Sequence, residues 1–132
     1  MNKVWVKFST EKENSLIIAA WEAKSLEQRT RGFQGVCPSL VIERSLLFTF
    51  PVPVRPNFHM TGVAVPLDIA FIGASKQVMD VRRMTRQKSN QTIRYYRPNT
   101  EIYYALETMA GRLDQLTRNP GLWRMRISAR GQ

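Results

Sequence analysis

The chain has 132 residues, 43% apolar and 10% aromatic, and its 20 Lys and Arg against 10 Asp and Glu give a net charge of +10. That length predicts one domain, residues 1–132, able to bury a core without staples, and the composition argues against disorder. A lone cysteine, Cys37, and a lone histidine, His59, exclude an internal disulfide framework and a Cys/His structural zinc site.

At the N-terminus, MNKVWVKFSTEKEN carries no apolar core and no small-residue cleavage site. KVWVKFS (3–9) puts Val4, Val6 and Phe8 on one face, a period of two that predicts a strand. LIIAAWEA (16–23) predicts a second, more continuously apolar strand. Ser25 with Gln28 forms a capping-box pattern that opens a short helix, SLEQRTRGF, which Gly32 and Gly35 should close. Pro38 then predicts a loop, and IERSLLFTF (42–50) a strand. PVPVRP (51–56), with three prolines, is expected as an edge or a semi-rigid connector.

PLDIAFIG (66–73) and QVMDVRRM (77–84) read as a hairpin joined by a short turn, followed by a polar loop, TRQKSNQT (85–92). IYYALE (102–107) predicts a strand, MAGRLDQLTR (109–118) a short helix and NPG (119–121) a turn. LWRMRIS (122–128) alternates Leu122, Arg124, Arg126 and Ser128 against Trp123, Met125 and Ile127, and opens a basic strand and tail over 118–132. The fold class expected is α+β, mainly β: an antiparallel barrel-like or sandwich domain with two short helices. The longest apolar runs, LIIAAW and VAVPLDIAFI, are too short for a membrane span, so no membrane insertion is expected. The expected location is cytoplasmic, or a virion if the chain is phage-encoded.

Three pieces in order resemble one family, the bacterial and archaeal "domain of unknown function 192" family. AKSLEQRTRGFQG (23–35) is similar to its short helix, A-x-T-x-E-E-R-x-x-G-L-M. LLFTFPVPVRPNFHMTGVAVPLDIAFIGASKQVMDVRRM (46–84) is similar to its G-M-L-F-x-F, F-W-M-K-N-T and P-L-D-I-x-F-I segments and a second strand ending in methionine. YYALETMAGRLDQL (103–116) is similar to its Y-x-L-E-x-x-A-G. The resemblance spans about residues 15–117 and implies a small, mostly antiparallel, barrel-like domain with helices over one side, and no established activity. Where the family has F-W-M-K-N-T, this chain has Phe58, His59, Met60, Thr61, Gly62 and Val63, so a family site in that loop would be altered here. The family's frequent cysteine pair after the second strand is absent too.

Asp68 shares a strand face with Ala70 and Ile72, where a carboxylate must be paired, hydrogen-bonded or protonated. It reads either as a general base or ligand-binding acid, or as a structural acid that accepts from loop N–H groups or an arginine such as Arg29 and fixes the preceding loop. His59 is the sole candidate for a histidine relay, with Cys37 as a conceivable thiolate partner, or else a packed surface histidine. Glu107 could pair with Asp68 as a two-carboxylate site, or could cap or salt-bridge near the helix at 109–118.

From residue 82 to 97 run Arg82, Arg83, Arg86, Lys88, Arg94 and Arg97 with no acid, interleaved with Tyr95 and Tyr96. Cations for phosphates beside aromatics for stacking suit a single-strand binder. Arg118, Arg124, Arg126 and Arg130 extend the charge. A solvated loop and a basic edge strand have the same composition. The expectation is a non-enzymatic binding or structural accessory module without cofactor or metal. It would dock to an anionic partner, such as an acidic protein surface, as a homo-oligomer or within a larger assembly such as a phage virion. The alternatives are nonspecific nucleic-acid binding through 82–97 and the tail, and a small-ligand or enzymatic site using Asp68.

Overall fold

The segments expected as strands become seven strands of one mixed sheet in a computed structural model that describes residues 1–129. In chain order they are β1 (Asn2–Ser9), β2 (Ser15–Ala23), β3 (Leu46–Val54), β4 (Leu67–Ile72), β5 (Val78–Met84), β6 (Ile102–Met109) and β7 (Arg124–Ser128). Their order across the sheet is β5-β4-β6-β3-β2-β1-β7. Every pairing is antiparallel except β2 with β3. The sheet is not closed into a barrel, yet its two ends touch at one bridge, Gln77 with Arg124. There the Val78 N–H donates to the Trp123 carbonyl at 3.0 Å and the Met125 N–H to that of Lys76 at 2.8 Å. The result is mainly β and barrel-like.

Alternation along each strand divides the core between two faces. Val6, Phe8, Ile18, Leu47, Ala70, Ile72 and Leu106 pack on one. Leu46, Phe48, Leu67, Ile69, Phe71 and Ala105 pack on the other. β4 is buried at every position because strands flank it on both sides and apolar clusters cover both faces.

Three short helices decorate the sheet, one more than expected. α1 (Leu26–Arg31) carries the capping box, with the Gln28 N–H donating to Ser25 Oγ at 3.1 Å. It ends at Gly32, whose φ of 51° and ψ of −132° suit only glycine. α2 (Pro38–Glu43) replaces the expected loop and the first residues of the expected strand. Pro38 sits at its N-terminus, where a missing N–H costs nothing, and Val41 is its buried contact. α3 (Asp114–Thr117) is much shorter than the 109–118 expected. β6 continues through Met109, paired with Leu67, and Gly111 turns the chain at a φ of 97° before any helix can start. A 3-10 turn covers Pro120–Leu122. PVPV belongs to β3 rather than to a connector, but its ladder to β6 is interrupted between Thr49 and Val54. Exposed Pro51 and Pro53 fall within that gap, where no donor is required of them.

Candidate functional site

Glu107 follows from register. On β6 it lies opposite Leu46 of β3 and Ile69 of β4, so its side chain joins the face that carries Phe48, Phe71 and Ala105. The residue is only 5% exposed, and its carboxyl has no hydrogen bond or ion pair among the described residues. Burial alone pushes its pKa up to about 8, so at neutral pH it is a carboxylic acid able both to donate and to accept.

Above it lies a groove of about 630 Å³, walled by α1, the turn over 32–34, β3 and the segment 54–59. A Cβ at Gly32 would stand 3.9 Å from Glu107 Oε1 and 3.7 Å from Phe48 Cζ, so the glycine keeps the helix end close over the acid. Phe58 packs edge-on to Phe48 at 5.5 Å and tilted against Phe71 at 5.8 Å. Arg29 is bolted in place. It donates to the carbonyls of Lys24 and Thr49 and lies 5.2 Å above the Phe50 ring. Arg31 is exposed, and its guanidinium has no partner among the described residues. Arg55 donates through its Nε–H to the Pro98 carbonyl at 3.0 Å, which holds the side chain at the groove with its two terminal nitrogens unpaired among the described residues.

His59 lines the same groove, so the histidine and one of the two candidate acids do meet at one site. Its Nδ1 accepts from the Thr61 N–H at 3.3 Å, and its ring meets the exposed Tyr95 edge-on at 6.1 Å. Phe58 and Tyr96 exchange backbone hydrogen bonds of 2.9 and 2.8 Å, which clamps the 94–97 segment to this wall.

Asp68 does not belong to the groove. It pairs across β4 and β6 with Thr108, and so projects from the opposite face to Glu107. No two-carboxylate site forms. Asp68 Oδ1 accepts from Arg83 Nε at 2.9 Å, and Oδ2 from the Gly111 and Leu113 N–H groups at 2.8 and 3.4 Å. The partner is therefore Arg83, its cross-strand neighbour, not Arg29, and the turn it holds follows β6 rather than preceding β4. Asp68 in turn raises the Arg83 pKa. Glu107 makes neither the helix cap nor the salt bridge expected of it, because it sits within the strand. No hydrogen bond joins Cys37 to His59. Cys37 Sγ instead lies 3.4 Å from Ser39 Oγ, a contact that lowers the thiol pKa.

The basic segment is divided by its partners. Arg82 pairs with Asp80 at 2.8 Å and covers Phe71, while Arg83 bridges Asp68 and Asp114. Tyr96 is 4% exposed, its hydroxyl accepting from the Thr85 N–H and its ring covered by Arg94, so it is no stacking platform. Arg86, Lys88, Arg94, Tyr95 and Arg97 remain exposed. Arg124 and Arg126 lie on β7, at the other end of the strand order, and Arg130 lies outside the described residues. Among the described residues no three His, Cys, Asp or Glu side chains gather as a metal site. No helix among the described residues is long and apolar enough to cross a membrane.

The sequence model of the DUF192 family, described as uncharacterized ACR, matches residues 7–122. The chain belongs to this family. A curated UPF0127 protein of Thermococcus sibiricus is 28% identical to this DUF192 chain over 91 residues, covering 67% of the chain and 55% of the relative. The chain thus spans about half the length of that relative. A solved structure from Sinorhizobium meliloti 1021, a candidate transcription regulator, superposes with a TM-score of 0.79 at 20% identity, over 97% of this chain and 95% of that one. A protein of unknown function from Novosphingobium aromaticivorans superposes with a TM-score of 0.76 at 20% identity, over 94% and 84%. At that identity these two show the shared fold.

Within the DUF192 chain, sequence reasoning missed the groove's other residues, Arg31, Arg55, Phe48 and Phe58. They come from α1, β3 and the following loop, and the β3–β6 ladder, the parallel β2–β3 pairing and the Phe58–Tyr96 bridge bring them round Glu107. The signal available was Glu107 itself, an acid in a strand whose neighbours Ala105 and Leu106 are both core residues.

Proposed function

We propose that the chain is a small-molecule-binding module and that the groove over Glu107 is its site. One observation carries the reading. The Glu107 carboxyl has no protein partner and meets solvent only through the groove, so it gives up hydration without compensation, and full loss costs such groups about 1–3 kcal/mol in other proteins. Unpartnered acids of this kind concentrate where a ligand completes them. The groove's volume falls in the range of small-molecule sites, and it sets aromatic side chains, Phe33, Phe48, Phe50 and Phe58, beside the polar heads of Arg31, Arg55, His59 and Glu107. No chemical step is assigned to it. The role remains that of a binding module, with Glu107 rather than Asp68 as the recognising acid.

The test is a small-fragment screen on the ¹⁵N-labelled chain. Binders should shift the amides of Gly32, Phe33, Phe58 and His59, and Glu107→Leu should abolish those shifts while raising the melting temperature. Binders that shift only residues outside the groove would overturn the reading.

A second reading, docking to an acidic protein surface or to nucleic acid, is supported by the exposed cations Arg86, Lys88, Arg94 and Arg97. Such contact would weaken steeply with salt.

A further inference from the structure

Resting on that reading, we propose that the groove selects small aromatic organic anions: the anionic group binds Arg31 and Arg55 at the mouth, the ring lies against Phe48 and Phe58, and a polar substituent meets Glu107.

Ionisable side chains reach the groove from each of its walls. α1 contributes Arg29 and Arg31, the segment after β3 contributes Arg55 and His59, and β6 contributes Glu107. No other acid lines it, and Glu107 is held neutral at pH 7 by its burial. The site therefore presents cations and no compensating anion. Arg29 spends its hydrogen bonds on two backbone carbonyls and its flat face on Phe50, which makes it a positioning residue. Arg31 and Arg55 are different. The first has no partner among the described residues, and the second is anchored through Nε alone. A guanidinium with terminal N–H groups to spare matches the two oxygens of a carboxylate or the oxygens of a phosphate.

Depth orders the remaining contacts. Arg31 and Arg55 are exposed, Phe58 is half-buried, and Phe48 and Glu107 are buried. A ligand that enters therefore meets cations first, aromatic edges and faces next, and a neutral carboxyl last. A neutral acid at the buried end of the groove favours an uncharged hydroxyl, carbonyl or ring N–H. It would repel nothing, whereas an ionised one would disfavour an anionic ligand.

The probes that test this are indole-3-acetate and its neutral isostere indole-3-acetamide, titrated into the ¹⁵N-labelled chain at low salt. We expect both to shift Gly32, Phe58 and Glu107 amides, with the acetate bound about tenfold more tightly, since each charge-assisted pair adds on that order. The double variant Arg31→Ala, Arg55→Ala should equalise the two affinities while its melting temperature stays near that of the wild type. Equal affinity of both probes for the wild-type chain, or a preference that survives the double variant, overturns the anion assignment and leaves the groove a ligand site. Groove amides unmoved by either probe at millimolar concentration also overturn it. Failure of every fragment in the wider screen to shift those amides sinks the parent reading instead.

Discussion

Asp68 and Glu107 stand on adjacent strands, one residue out of register, and project from opposite faces of the sheet. That single offset separates their chemistry. Asp68 is saturated by Arg83 and two backbone N–H groups, whereas Glu107 is buried without any partner among the described residues. One acid holds the fold together and the other is kept at a cost.

The cost of Glu107 should show in the pH dependence of stability. The unfolded chain releases this proton near the ordinary value of 4.5, and the folded chain holds it to about 8. As pH rises through that window the unfolded state gains charge that the folded state cannot, so stability falls by up to about 1.4 kcal/mol per pH unit and levels off above it. Glu107→Gln removes the titration. Thermal melts should show the variant several degrees more stable than the wild type at pH 8, with the difference vanishing towards about pH 5. Parallel curves would mean that the carboxyl is not held neutral.

Asp68→Asn should destabilise the domain by about 1–3 kcal/mol, because its single oxygen cannot accept from both Arg83 and the turn after β6 and its NH2 faces one of those donors. Urea unfolding measures this. The variant should leave fragment-induced shifts in the groove unchanged, since its side chain is on the other face. A stable variant with lost groove binding would reverse the roles assigned to the two acids.

Gly32→Ala places a side chain on a backbone with φ 51° and ψ −132°, and points it at the acid. Strain of this kind costs about 1–3 kcal/mol. Steric space does not forbid it, since the nearest atoms would be at ordinary van der Waals distance, 3.7 and 3.9 Å. Both stability and groove affinity should fall together. A fully stable variant would show that the turn relaxes without glycine.

Fluorescence anisotropy with labelled oligothymidylate separates the two proposed functions. With Tyr96 buried and Arg82 and Arg83 committed to acids, contact should rest on the exposed cations and be lost by physiological salt. Arg86→Glu with Lys88→Glu should abolish the low-salt signal and leave groove binding intact. Saturable micromolar binding that persists in physiological salt would put the nucleic-acid reading first.

Period-two alternation in β1 and β7, the hairpin spacing of β4 and β5 and the Ser25–Gln28 capping box were legible because each depends on residues close in the chain. So was the presence of Asp68 and Glu107 as unusual acids in apolar runs, and, through three ordered motifs, the DUF192 family. The α2 helix and the late start of α3 were not, because short helices depend on what they pack against more than on propensity.

What the sequence determined by itself was the inventory: the strands, the caps, the excess of positive charge and the two acids that needed an explanation. Tertiary structure decided which acid is satisfied. Strand register put Asp68 opposite Arg83 and turned Glu107 to the face roofed by α1 and Phe58. A shift of one residue moves a strand's side chains from one face to the other, and no local pattern around Glu107 encodes which strands will flank it.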